Sequence, residues 1–302
     1  MDIRYSPKEA DIPSHLNKMR SLYKDLFSHG KHYRGALVHM VCEELRLDEK
    51  ASFVLSQTAE FIHNSSLLHD DVVDNSILRR GKTAAWKKYG GGYAVLAGDY
   101  LLARVIKDLC QFSNLELVEF TSDTILALVE GEWLQDDGHN RSDLVQNHIT
   151  EVHRLKTGAL FSWCFKAPFI LKGLDQKEIS KTVDIGESFG ALLQRSDDLL
   201  DFNIRNFEGK DFFKDLPSGN MNLFAFKILE DKDNKEKAFE FNKLEDFVSF
   251  YKVDIDTTLK GYDDESTKII SDLKNSIDSI NSFSDEFKEQ LKSMGELIYW
   301  RK

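Results

Sequence analysis

Apolar residues recur at three- and four-residue spacing through long stretches of the chain, the period of a helix with one buried stripe. The pattern predicts a helix over 14–29, a loop through Gly30-Lys31-His32-Tyr33-Arg34-Gly35, a second helix from about Ala36 and a third over about 49–74. A glycine-containing loop, Arg80 to Thr83, comes next, and Gly90-Gly91-Gly92 is the strongest break in the first half. Long, mostly apolar helices are expected over 94–109, 115–134 and 144–165, the last closing ahead of Pro168. A helix over 176–202, a polar loop over 207–222 and a charge-rich helical stretch from Lys227 complete an all-α chain.

Composition agrees with this pattern. Only 4 prolines and 17 glycines punctuate 302 residues, too few for a hairpin-rich β protein whose tight turns need such residues. At roughly 150 residues per domain the length would allow two domains. No internal repeat or low-complexity linker divides it, so one domain is expected over 1–302, with motifs over 30–225 and a charge-rich helical part over 227–302. Forty basic against 51 acidic residues leave a net charge of −11, which disfavours generic binding to nucleic acid or an anionic membrane. Cys42, Cys110 and Cys164 are odd in number and set among apolar residues, so free buried thiols are expected. The amino-terminal stretch has no apolar core, and the longest apolar run, Leu160 to Leu174, is interrupted by Lys166 and Pro168. No signal peptide and no integral membrane segment is expected, and the cytoplasm is the default location.

Two acidic clusters carry the chemistry: Asp70-Asp71-Val72-Val73-Asp74 and Asp197-Asp198-Leu199-Leu200-Asp201, both D-D-x-x-D inside apolar helical sequence. On a helix, Asp70 and Asp74 project within about 40° of each other, and His63 lies on the same stripe two turns earlier. Gln194, Asp197 and Asp201 share a stripe in the second cluster, opposite Ile185, Phe189, Leu192, Ser196 and Leu199. Carboxylates at this spacing repel, so two such pairs in core-forming helices call for a cation. Oxygen-only ligands point to Mg²⁺ or a similar hard ion, which binds through few carboxylates, waters and a substrate phosphate; paired clusters therefore suggest a metal-bridged diphosphate. Asp136-Asp137 and Asp263-Asp264-Glu265 lack an apolar setting and read as solvated acids. Basic residues stand where a diphosphate needs them: Lys31 and Arg34 in the first loop, Arg79-Arg80-Gly81-Lys82 one turn beyond the first cluster, and Lys156-Thr157-Gly158 within an apolar helix.

In this order, Gly30-Lys31-x-x-Arg34, Glu60-Phe61-Ile62-His63, the first acidic cluster, Arg79-Arg80-Gly81-Lys82, Ala97-Gly98-Asp99, Glu130-Gly131-Glu132, Lys156-Thr157-Gly158 and Gln194-x-x-Asp197-Asp198-x-x-Asp201 resemble the trans-isoprenyl diphosphate synthase family. The resemblance runs from Gly30 to about Ala225. It implies a bundle of long antiparallel helices around a central cavity, with the two aspartate-rich helices facing each other at its mouth. It also implies a homodimer that condenses isopentenyl diphosphate with an allylic prenyl diphosphate. By that likeness Asp70, Asp74 and Asp197, supported by Asp71, Asp198 and Asp201, hold several Mg²⁺ ions on the allylic diphosphate, with Arg79, Lys156 and Lys210 completing that site. Gly30, Lys31, Arg34, His63 and Arg80 hold isopentenyl diphosphate. Lys156, Thr157 and Gln194 are the expected catalytic residues, the Thr157 carbonyl and Gln194 lying near the carbocation formed when the allylic C–O bond breaks.

One departure stands out. The family's usual Asp-Leu-x-x-Gly-Lys-x-Thr is here Asp215-Leu216-Pro217-Ser218-Gly219-Asn220-Met221-Asn222, so a lysine has become Asn220; the lost cation weakens leaving-group stabilisation by ~1–3 kcal/mol if the site is shielded and no other cation, such as Lys214, substitutes. Ser65 and Ser66, one turn before Asp70, are small where short-chain members carry aromatics, an open floor that argues for a product of C20 or longer. A stopper from another helix, Phe112, Phe120 or Trp133, stays open. Two other readings remain beside an active elongating enzyme: a non-catalytic partner subunit, motivated by Asn220, and a class I terpene cyclase, disfavoured by the synthase-like second cluster and by Lys31 and Arg34.

Overall fold

The computed structural model describes residues 12–301 apart from 14, 28–31, 80–81, 208 and 210. Of the expected site residues, Gly30, Lys31, Arg80 and Lys210 lie outside the described residues. The chain is all-α, with one two-stranded hairpin among the described residues. Its contacts separate two compact units, one of residues up to 125 with 163–179, the other of 126–162 with 180–302.

In the first unit, α1 (Asn17–Phe27), α2 (Tyr33–Glu44) and α3 (Glu49–Val73) lead to the hairpin β1 (Leu78–Arg79) and β2 (Lys82–Thr83). The short α4 (Ala85–Tyr89) and then α5 (Gly91–Cys110) follow. Asp48 starts α3 by accepting the Ala51 N–H at 2.7 Å, and the 25 residues that follow pack against both α2 and α5. The α3 stripe of Leu55, Ala59, Ile62 and Leu68 is buried with Leu37, Val38 and Val41 of α2 and Ala94, Leu101 and Val105 of α5. Gly98 makes the α3–α5 approach possible, since a Cβ there would lie 2.3 Å from the His69 ring.

Helix α6 (Leu115–Asp137) begins in this unit and ends in the second. The second unit continues with α7 (Gln146–His153), a π-helical turn over Arg154–Gly158, α8 (Ala159–Lys172), whose later part belongs to the first unit, and α9 (Gln176–Asp201). After the loop come α10 (Leu223–Leu229), a 3₁₀ turn at Lys235–Glu240, α11 (Leu244–Tyr251), α12 (Ile255–Asp278) and α13 (Asp285–Trp300). Asn222, Asp254 and Ser284 cap α10, α12 and α13 through side-chain acceptors, as such residues do at helix starts. Phe202, Phe213, Phe224 and Phe247 form an edge-to-face aromatic core under the loop.

Three sequence expectations change. Gly91 and Gly92 open α5 instead of breaking the chain, and Gly90 alone, at φ +100°, makes the junction. Helix α8 runs through Pro168: Trp163, Cys164, Phe165, Ala167 and Phe169 around it are fully buried, and that packing outweighs the ~3 kcal/mol penalty of an interior proline. Cys42 and Cys164 are buried free thiols as expected, but Cys110 is exposed because it closes α5 at the turn to Ser113.

Gly186 sets the spacing inside the second unit, where a Cβ would stand 2.2 Å from the Ser162 Cα. Gly186→Ala therefore should destabilise the protein by about 1–3 kcal/mol in urea unfolding despite alanine's better helix propensity.

Candidate active site

In the first unit, the end of α3 separates the three aspartates by one turn of geometry. Asp71 is 3% exposed and accepts the Arg79 guanidinium, Nε at 2.8 Å and Nη2 in a second contact. Asp70 is half-buried and Asp74, the residue that closes the helix, is exposed. The hairpin exists to make this contact possible: the Leu78↔Thr83 and Arg79↔Lys82 pairs turn Arg79 back onto α3. His63 is half-buried on the same helix. Arg34 sits in the first turn of α2, whose start is fixed by buried Glu60 accepting the Gly35 N–H at 2.9 Å and facing His32 Nδ1 at 3.1 Å.

Ser65 is buried and donates to the Gly98 carbonyl at 3.0 Å, so its side chain is packed on α5; Ser66 is half-buried and donates to the His63 carbonyl. A cavity of about 500 Å³ opens beside Asp71 and Arg79, with Asn64, Leu67 and Leu68 along its α3 wall. Neither serine lines it.

In the second unit, the π turn widens the helix at Lys156 and Thr157, as such insertions do at functional positions. Gly190 lets α9 reach the turn, since a Cβ there would lie 2.6 Å from the Gly158 Cα. Thr157 Oγ1 donates to Gln194 Oε1 at 3.3 Å. The Lys156 ammonium pairs with Glu132 and donates to Gln135 Oε1 at 3.0 Å. Gly131 leaves room for the lysine stem, which a Cβ would meet at 2.7 Å.

The second acidic cluster divides as the first does at its leading pair. Asp197 is exposed, while Asp198 is 1% exposed. Asp198 accepts the Leu223 N–H at 3.1 Å and the Tyr262 hydroxyl at 3.0 Å. Asp201 is also buried, accepting the Lys214 N–H at 2.6 Å and the Asn222 amide at 3.3 Å. Asn222 also donates to Asp215 at 2.9 Å. Burial pushes the Asp198 carboxyl up to about 6 and raises Asp201. Burial, with repulsion from Asp201, pushes Asp215 up to about 7. Burial next to the cationic Arg195 pushes His153 down to about 3, so its imidazole is neutral. The Asn220 amide donates to Ser218 Oγ at 3.2 Å.

Asp70, Asp74 and Asp197 are thus the aspartates that reach solvent, and their oxygen-only chemistry fits a hard divalent ion. Among the described residues no three His, Cys, Asp or Glu side chains gather closely enough to hold an ion alone.

The polyprenyl synthetase family model matches residues 17–249. The chain belongs to the polyprenyl synthetase family. It is 32% identical over 195 residues to an octaprenyl diphosphate synthase of Escherichia coli K12, a match covering 64% of this chain and 60% of that relative's length. The crystal structure of a decaprenyl diphosphate synthase from Rhodobacter capsulatus superposes with a TM-score of 0.86 at 25% identity, covering 96% of this chain and 92% of the other. A polyprenyl synthase from Caulobacter crescentus CB15, solved with calcium and isoprenyl diphosphate, gives 0.85 at 26% identity, covering 97% and 92%. The polyprenyl synthetase of this chain accordingly has the all-α isoprenoid synthase fold.

Sequence reasoning passed over several residues that organise the site. Glu60 and Glu132 were visible as glutamates inside quoted motifs, and a carboxylate in an apolar helical run demands a donor. Asp263 is more than a solvated acid, since it takes both Arg205 contacts, at 2.8 and 2.7 Å, and the Tyr299 hydroxyl; Glu265 is exposed as expected but pairs with Arg195 and Lys227. Their partners lie 36 to 70 positions away along the chain, and no local pattern reports them.

A carboxyl whose folded pKa lies above its unfolded value binds more protons in the fold, so stability falls as pH rises between the two values. The protein therefore should gain stability when pH drops from 7 to 5 through Asp198, Asp201 and Asp215. Asp215→Asn should remove about 1–3 kcal/mol of that gain, read by urea unfolding at the two pH values.

Proposed function

We propose that this polyprenyl synthetase is a chain-elongating trans-prenyltransferase that condenses isopentenyl diphosphate with an allylic prenyl diphosphate to give an all-trans product of C20 or longer. The observation that carries the reading is the shared division of the two acidic motifs: Asp71 and Asp198 are buried and held by the chain's own donors, while Asp70 and Asp197 ahead of them reach solvent. Buried neighbours that fix a solvent-facing carboxylate are what a metal-dependent diphosphate site requires. The octaprenyl and decaprenyl activities named for relatives support the long product.

In this reading Asp70, Asp74 and Asp197 carry Mg²⁺, with Asp71, Asp198 and Asp201 positioning the helix ends. Mg²⁺, when bound, neutralises the departing diphosphate and so favours breakage of the allylic C–O bond. Lys156 presents its ammonium to the allylic diphosphate, kept extended by Glu132 and Gln135, and Arg79, aimed by Asp71, and Lys210 add charge-assisted donors. Gln194 and the Thr157 carbonyl stabilise the carbocation as fixed dipoles, their separation set by the Thr157–Gln194 hydrogen bond. Arg34 and His63, with Gly30, Lys31 and Arg80, bind isopentenyl diphosphate; its double bond attacks the carbocation, and proton loss to the released diphosphate closes the cycle. Ser66, which lies next to the cavity-lining Leu67 though not in the lining itself, is the remaining chain-length candidate, because a larger residue at Ser65 meets α5 first. The chain reads as one isoprenoid synthase domain working in the cytoplasm as a homodimer, and the exposed Leu126-Val129-Trp133 stripe on α6 supports the dimer. No helix among the described residues is long and apolar enough to cross a membrane.

Incubation with Mg²⁺, isopentenyl diphosphate and geranyl, farnesyl or geranylgeranyl diphosphate should yield a product ladder ending at C20 or beyond. Absence of incorporation from folded protein would transfer the weight to the partner-subunit reading and to Asn220. Asp70→Ala and Asp197→Ala should each lower turnover by about 10²–10³-fold while leaving helicity intact. Ser66→Phe should shorten the product, read by chromatography after dephosphorylation; an unchanged length would remove Ser66 from the floor.

A further inference from the structure

Every buried carboxylate of the second acidic cluster is held by donors that cannot leave: Asp198 by a backbone N–H and the buried Tyr262, and Asp201 by backbone N–H groups and Asn222. The exposed Asp197 is met by a different kind of group. The Arg301 guanidinium pairs with Asp197 Oδ1, and its Nε donates to the Ser196 hydroxyl. We propose that Arg301 is an exchangeable latch, a counter-ion of Asp197 in the metal-free protein, which must vacate this carboxylate before a divalent cation takes it.

The latch is built into the end of α13. Tyr299 is fully buried and its hydroxyl donates to Asp263 at 2.6 Å. The Arg205 guanidinium also grips Asp263 and lies 5.1 Å from the Tyr299 ring and 4.5 Å from the Trp300 ring. Ser196 Oγ donates to the Tyr299 carbonyl at 3.4 Å, so the turn that carries Arg301 is tied to α9 immediately before the acidic cluster. Arg301 itself has left-handed backbone, φ 50° and ψ 39°, with its N–H on the Leu297 carbonyl. A residue other than glycine holds that conformation where its surroundings impose it. The anchor at Tyr299 and Trp300 stays in place while the arginine side chain, 22% exposed, has room to swing away. A guanidinium and a divalent cation on one carboxylate repel each other, so occupancy by one opposes the other. Cation entry at the second motif is thereby coupled to the conformation of residue 301.

The inference rests on the reading of Asp197 as a metal ligand, and the test separates the two. Mn²⁺ binding to the full chain without substrate is titrated by electron paramagnetic resonance for the wild type, Arg301→Gln, Arg301→Lys and Asp197→Asn. Amide hydrogen exchange over 296–301 is followed with and without Mg²⁺. Arg301→Gln should tighten the Asp197-dependent Mn²⁺ site about three- to tenfold, a modest factor because the pair is partly exposed, and Arg301→Lys should restore most of the wild-type affinity. Mg²⁺ should speed exchange at 301 in the wild type and leave it unchanged in Asp197→Asn. Equal Mn²⁺ affinity in wild type and Arg301→Gln, with binding still lost in Asp197→Asn, overturns the latch alone. Binding unaffected by Asp197→Asn overturns the ligand assignment beneath it.

Discussion

An ionised carboxylate inside a helical core is stable only when donors surround it. The two acidic motifs place six aspartates on two core helices, and the second aspartate of each is buried. Much of the local architecture supplies what those buried groups need. The hairpin after α3 brings Arg79 back to Asp71; the start of α10 points its first N–H at Asp198; Tyr262 reaches the same oxygen from α12; and the 211–222 loop folds its backbone N–H groups and Asn222 around Asp201. A loop held this way is irregular in form yet fixed in position, because its shape is set by the acceptor it encloses.

Glycine provides the complementary constraint on distance. Gly186 and Gly190 bring α9 onto the backbone of Ser162 and Gly158, and Gly131 admits the Lys156 stem. Because helix and π turn touch backbone to backbone, the Thr157 and Gln194 side chains meet at hydrogen-bond distance. In the proposed reaction these two groups stabilise a short-lived positive charge, and such groups have to be in place before it forms. The Glu132–Lys156 pair serves the same end in a different way, holding extended a side chain that would otherwise sample many rotamers.

Much of the molecule was legible before any coordinates. Helical periodicity and the scarcity of proline pointed to the all-α class, the duplicated D-D-x-x-D spacing marked candidate ligands, and the order of the motifs resembled one family, because helix formation and motif spacing are local properties. Errors fell where a local rule met tertiary packing. Pro168 was read as a helix stop, and the buried aromatics around it carried α8 through; three glycines were read as a break, and two of them began a helix. Asp263 read as a solvated acid because its arginine partner comes from a turn far along the chain.

The sequence by itself determined that the two acidic motifs ride on helices and marked their aspartates as candidates for the chemistry, since residue type and i, i+4 spacing suffice for both. Tertiary structure alone decided which aspartate of each pair faces solvent and which is locked inward. It also decided that Lys156 is steadied by Glu132, and that Arg301 lies on Asp197. The physical reason is common to all three: burial and ion pairing depend on groups brought together from far along the chain, and a one-dimensional pattern holds no record of those distances.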